Sequence, residues 1–199
     1  MLTKRFLGIS VITLILTAML GTVVVHSAAG KARSELKPVV LISDDCDAAT
    51  FNATFGPGTC VGEGTTTVAQ FLAEFGKVGH VFGWDFTPHH QTVRRGDEIT
   101  LANVGGERHT FTKVAKFGGG FVGLLNGGAA AAPECASTVN GKLVPQPASA
   151  TNLFLAAGQS AEVEAGDGPL APVGANLYQC CIHPWMHATI KVTNGEAGE

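Results

Sequence analysis

The spacing of apolar positions changes along this chain, and each change marks a different kind of segment. Lys4 and Arg5 precede a predominantly apolar run from Phe6 to Val25, which gives way to the small residues of "HSAAGKA". A basic start, an apolar run and small residues in that order describe a targeting segment, while a run of 20 residues is also long enough to span a bilayer. Residues 1–29 are therefore read as a signal peptide or an N-terminal anchor, and the remainder as exported. Residues 30–37 read as polar linker and "PVVLIS" at 38–43 as a short strand. "DDCDAATFNATFGPGTCVGEG" at 44–64 is rich in turn residues. "TTTVAQFLAEFGK" has the helical period, with a threonine cap, Val68, Phe71, Leu72 and Phe75 on one face, and Gly76 as its end.

From residue 80 the period falls to two. "HVFGWDF" alternates, and "QTVRRGDEITLANVGGERHTFTKV" reads as strand, turn at Arg95-Gly96-Asp97, strand, a Gly105-Gly106 loop, and a strand opening at His109. Residues 115–150 are rich in Gly, Ala and Pro and carry no period, which suits a long functional loop. "TNLFLAAGQSAEVEA" gives two more strands, and "ANLYQC" and "TIKV" another two. Many short strands between turn signals predict an all-β domain, an antiparallel sandwich or barrel.

Composition narrows this picture. Charged residues make up 15% of the chain and glycine contributes 26 of 199 residues, as in a loop-rich β protein rather than a disordered one. No basic stripe interleaved with aromatics is present, so nucleic acid is not expected as a partner. Loss of residues 1–29 would leave 11 basic and 16 acidic residues, a net charge near −5, which weakly favours a partner with a basic docking patch. Oligomeric state is not legible.

All five cysteines, at 46, 60, 135, 180 and 181, lie in the exported part, where disulfides are permitted. An odd count leaves at least one unpaired, and a metal thiolate would account for it. A Cys46–Cys60 bridge would staple a segment with little core of its own.

The chemistry concentrates in "YQCCIHPWMH" at 178–187. Cys180, His183 and Met186 form C-x2-H-x2-M, with Pro184 stiffening the loop between them. Thiolate, imidazole and thioether together suit copper, and a second histidine would complete the set of an electron-transfer copper centre. His109, after "NVGGER" and at the start of a strand, is the best candidate. Cys181 faces away from Cys180 in an extended chain, so it is read as a partner for Cys135 or a buried thiol rather than a ligand. His187 is read as a solvated loop histidine, and His80, His89 and His90 as surface residues rather than a second metal site. Trp84 is read as core.

"FTPHHQTVRRGDEITLANVGGERHTFT" followed by "YQCCIHPWM" resembles the cupredoxins, the blue copper proteins of the amicyanin and plastocyanin kind, over about residues 80–193. That family shows a V-x-x-G-D-x-(I/V)-x-(F/L)-x-N strand before its first histidine and closes its site with Y-x-C-x-x-H…M. The resemblance implies a Greek-key β-sandwich, preceded here by a short helix-containing extension at 30–79 and followed by a tail at 194–199. It implies one copper ion cycling between Cu(I) and Cu(II), with His109, Cys180, His183 and Met186 as ligands. It also implies Tyr178 as a core tyrosine and Thr110 as a donor toward the thiolate; Trp185 is read either as core or, beside a ligand whose ring edge reaches the surface in that family, as part of an apolar docking patch.

The expected function is an exported type 1 copper protein, periplasmic or secreted, carrying single electrons between redox partner proteins. It is tethered to the membrane if residues 1–29 remain. Other readings are a copper chaperone or storage protein and a copper enzyme with an open coordination position. The first usually shows exposed Met/His clusters, and this chain has three methionines. Multicopper oxidases need several His-x-His pairs, and a dinuclear copper centre needs two cysteines separated by three residues; neither is present.

Overall fold

Alternating burial along the strands builds two facing sheets. The computed structural model of the chain describes residues 37–195; the 1–29 segment expected to be a signal peptide or anchor, nearly all of the 30–37 linker and the end of the 194–199 tail lie outside them. The first sheet contains β1 (Val39–Ser43), β2 (Asp85–Thr87), β4 (Glu98–Asn103) and β9 (Ser160–Glu164), in the order β2-β1-β4-β9. The second contains β3 (His90–Arg94), β5 (His109–Val114), β8 (Asn152–Leu155), β10 (Gly174–Gln179) and β11 (His187–Thr193), in the order β3-β11-β10-β5-β8. Val40 and Ile42 of β1 and Ile99 and Leu101 of β4 alternate inward, as do Ile190 and Val192 of β11. Phe86, Phe111 and Tyr178 are buried in the same core, with the Phe111 and Tyr178 rings stacked at 4.4 Å. Burial of each such ring removes apolar area worth roughly 2–3 kcal/mol from water.

The chain is thus an all-β sandwich whose connections cross between sheets in the Greek-key manner, with helices in the N-terminal segment. The pairing is not purely antiparallel: β1 runs parallel to β4, and β3 parallel to β11. β1 lies inside the first sheet, between β2 and β4, so the sandwich begins well before residue 80.

Local expectations fail in instructive places. The turn-rich stretch 44–64 contains a helix, α1 (Ala48–Phe55), capped by the Asp47 side chain and closed at Gly56. The helix α2 (Val68–Val78) has the threonine cap, Thr67, in a reciprocal box with Gln70, but runs through Gly76 to Gly79, which takes the left-handed conformation at φ 76°. A glycine inside a helix costs about 1 kcal/mol, too little to end one whose apolar face is packed. "HVFGWDF" pairs only from Asp85; the chain turns through Gly83 (φ 92°), which buries Trp84 and leaves Phe82 exposed. The 115–150 segment holds a short 3-10 turn at Gly123–Asn126 and a hairpin of β6 (Ala136–Val139) and β7 (Lys142–Pro145). Among the described residues no helix is long and apolar enough to cross a membrane.

The disulfides are Cys46–Cys60 and Cys135–Cys181, and Cys180 is the free cysteine. The first ties α1 to the segment beyond it; the second pins the long loop to the end of β10.

Candidate metal centre

β5 pairs with β10, Thr112 opposite Gln179, so the start of one strand and the end of the other meet at one end of the sandwich. His109 opens β5 and Cys180 follows β10. The Cys180 sulfur lies 3.7 Å from His109 Nδ1. A single first-row ion with bonds of roughly 2.0 Å to nitrogen and 2.3 Å to sulfur spans that distance. His183 returns to the same point, and the ligand atoms of His109, Cys180 and His183 all lie within 4.8 Å of one another.

The loop is closed by its own backbone. Cys180 N donates to Met186 O at 3.1 Å and Met186 N to His183 O at 3.0 Å, which folds the C-x2-H-x2-M stretch into a tight turn beside Cys180. His109, Cys180 and Met186 are 0% exposed and His183 is 3% exposed. Thr110 N and His183 N each donate to the Cys180 sulfur, at 3.4 and 3.5 Å. Thr110 therefore contributes its backbone amide, while its hydroxyl accepts from Cys181 N at 2.7 Å.

These residues fit copper by their own chemistry. His183 Nδ1 is buried with no hydrogen-bond partner, which is costly for an imidazole nitrogen unless an ion occupies its lone pair. Burial alone would push the Cys180 thiol up, but His109 and His183 outweigh it and hold the thiol well below its usual range. Burial would lower His109; Asp44 and Cys180 override it and raise the metal-free imidazole to about 9. The soft, partly anionic set of two imidazoles and a thiolate, with a buried thioether in the same loop, suits copper.

Two residues that no sequence motif marks place carboxylates beside the outer nitrogens of these imidazoles. Asp44 Oδ2 accepts from His109 Nε2 at 2.9 Å, and both side chains are fully buried. Glu107 Oε2 lies 3.6 Å from His183 Nε2 and accepts from Trp84 Nε1 at 2.6 Å. Asp44 also accepts from the backbone amides of Cys46, Gly106 and Glu107. Burial pushes Asp44 up, yet the bonds from His109, Glu107 N and Gly106 N hold its carboxyl below the usual range; burial raises Glu107. Gly105 makes the approach possible, since a Cβ there would come within 2.7 Å of Asp44 N. Asn103 braces the same loop, its Nδ2 donating to Glu107 O at 2.8 Å and Leu155 O at 3.0 Å.

The expected exposed edge of His183 is not there. α2 lays Phe71 over it, with ring centroids 6.1 Å apart, and Trp84 and Trp185 pack beside it at 6.3 and 5.4 Å. Trp185 itself is half-buried against Phe75 at 5.2 Å, so its ring is committed to the α2 roof. His187 is not a solvated loop residue: it opens β11, half-buried and stacked on Phe117 at 3.8 Å. His89 is an exposed residue paired with Asp85 at 2.8 Å, and His80 and His90 do not join the central cluster.

No family model and no curated protein matches this chain. Among solved structures it is similar to a purple cupredoxin from Nitrosopumilus maritimus, at 15% identity over 79% of this chain and 100% of that one, with a TM-score of 0.37. It is also similar to an oxidised P96G mutant of amicyanin, at 12% identity over 81% of this chain and 87% of that one, with a TM-score of 0.34. A copper-containing nitrite reductase from Thermus scotoductus is similar at 15% identity over 54% of this chain and 20% of that one, with a TM-score of 0.31.

Proposed function

We propose that this chain is an exported cupredoxin-like protein that binds one copper ion through His109, Cys180, His183 and Met186 and carries single electrons. The observation that carries the reading is the buried sulfur of Cys180 facing Nδ1 of His109 at 3.7 Å, with the unpartnered Nδ1 of His183 in the same cluster. A thiolate, two imidazoles and a weak thioether are acceptable to both cuprous and cupric ions, so a one-electron change needs little rearrangement.

Burial favours this reading over its rivals. A protein that hands copper on needs ligands a partner can reach, and an enzyme needs a coordination position a substrate can enter. Here none of the four side chains is more than 3% exposed. Electrons can pass where atoms cannot, and the half-buried Trp185 ring beside His183 supplies a packed route outward. Export is supported by the 1–29 segment and by two disulfides in one small domain. Redox partner proteins are the expected clients, met on the surface around α2.

Copper loading followed by oxidation tests the proposal. The expected product holds one copper per chain, shows an intense thiolate-to-copper visible band and a cupric EPR signal, and bleaches and recovers on one-electron cycling. Added azide leaves the band in place. A colourless, EPR-silent product after loading and oxidation would overturn the reading.

A further inference from the structure

The roof over the site carries charge as well as aromatic rings. Asp44, from the segment after β1, and Glu107, from the loop before β5, place buried carboxylates at the outer nitrogens of His109 and His183. Neither is a passing contact. Asp44 is held by three backbone amides as it accepts from His109, while the bond from the Trp84 indole keeps Glu107 Oε2 beside His183, 3.6 Å from Nε2. A carboxylate that accepts from Nε2–H leaves Nδ1 free for a metal and makes the ring a stronger donor.

Resting on the copper reading, we propose that Asp44 and Glu107 are positioning residues that bias the bound ion toward its cupric state and set a low reduction potential. Reduction adds one electron to a site that already holds the Cys180 thiolate and the Asp44 carboxylate in a water-excluded interior. Negative charge there is screened far less than at a surface. The stronger donation from His109 acts in the same direction, because it favours the more highly charged ion. The segment carrying Asp44 is stapled at Cys46 to Cys60, so the N-terminal segment is part of the electronic environment of the centre as well as its cover.

The test measures reduction potentials of copper-loaded wild type, Asp44→Asn, Glu107→Gln and Glu107→Asp, with visible spectra recorded on each. Asp44→Asn is expected to shift the Cu(II)-to-Cu(I) preference at least tenfold toward Cu(I), a rise of about 59 mV for one electron. Glu107→Gln is expected to shift it the same way by a smaller factor, and Glu107→Asp, which keeps the charge, to stay nearer the wild type than Glu107→Gln does. Should Asp44→Asn fail to fold, the Glu107 pair decides. Potentials within a factor of two of wild type in every folded charge-removing variant, with the visible band intact, overturn this inference and leave the copper reading standing. A wild type without the band overturns the copper reading itself.

Discussion

Cys180 and Cys181 are neighbours in the chain and belong to different chemistries: the Cys180 sulfur faces His109 at 3.7 Å, while Cys181 is bonded to Cys135. Alternation of side chains at the end of β10 sends one sulfur into the sandwich and the other toward the long loop. The bridge also anchors the backbone immediately after the candidate ligand, so the position of Cys180 is fixed from both sides.

The Cys135–Cys181 bridge closes a separation of 46 residues and Cys46–Cys60 one of 14. Chain entropy gives about 4 and about 3 kcal/mol respectively. Cys135→Ser/Cys181→Ser and Cys46→Ser/Cys60→Ser are expected to lower unfolding free energy by those amounts in denaturant titrations, with a raised m-value because the unbridged denatured chain exposes more surface.

Phe71 is 3% exposed and touches Phe51, Trp84, Trp185 and His183. Phe71→Ala is expected to cost about 3 kcal/mol and to open the outer edge of His183. Chemical denaturation checks the first effect. The second predicts that azide or imidazole, inert toward the wild-type visible band, perturbs the variant's band.

Much of the centre is legible in the sequence. The C-x2-H-x2-M spacing isolates Cys180, His183 and Met186, and the glycine loop before His109 marks a strand start. Strand phase separates Cys180 from Cys181. What the sequence hides is contact between segments distant along the chain. Asp44 precedes His109 by 65 residues, and only the parallel docking of β1 on β4 brings them together. The cover over His183 is hidden for the same reason: the apolar face of α2 can be read from its period, but not the surface it seats on. Helix α1 is masked by composition, since threonine, asparagine and glycine around it read as turn, although Asp47 is a capping residue with a helical octet behind it.

Met186 is fully buried and its backbone closes the ligand loop. Met186→Leu nearly conserves volume and is expected to cost less than about 1.5 kcal/mol. Loss of a weak axial thioether should leave the visible band in place and raise the reduction potential, because a donor to the cupric ion is replaced by hydrocarbon. Voltammetry with a spectrum of the same sample checks both.

Asp45 accepts from Thr66 Oγ1 at 2.7 Å and from Thr65 N at 3.0 Å. The bond from Thr66 leads, burial opposes it weakly, and the carboxyl is held below its ordinary 3.8. A depressed folded-state value contributes stability that is present above that pH and lost as pH falls through the folded value. The stability gap between wild type and Asp45→Asn, measured on metal-free protein, is therefore expected to be constant above about pH 5 and to shrink on further acidification. A gap that widens toward acid would contradict the assignment.

The visible spectrum of copper-loaded Cys180→Ala beside Cys181→Ala tests the central claim most directly. The thiolate-to-copper band is expected to vanish in Cys180→Ala and to persist in Cys181→Ala, whose loss is one of stability through the broken bridge to Cys135. A band that survives in Cys180→Ala and disappears in Cys181→Ala would contradict the centre described above.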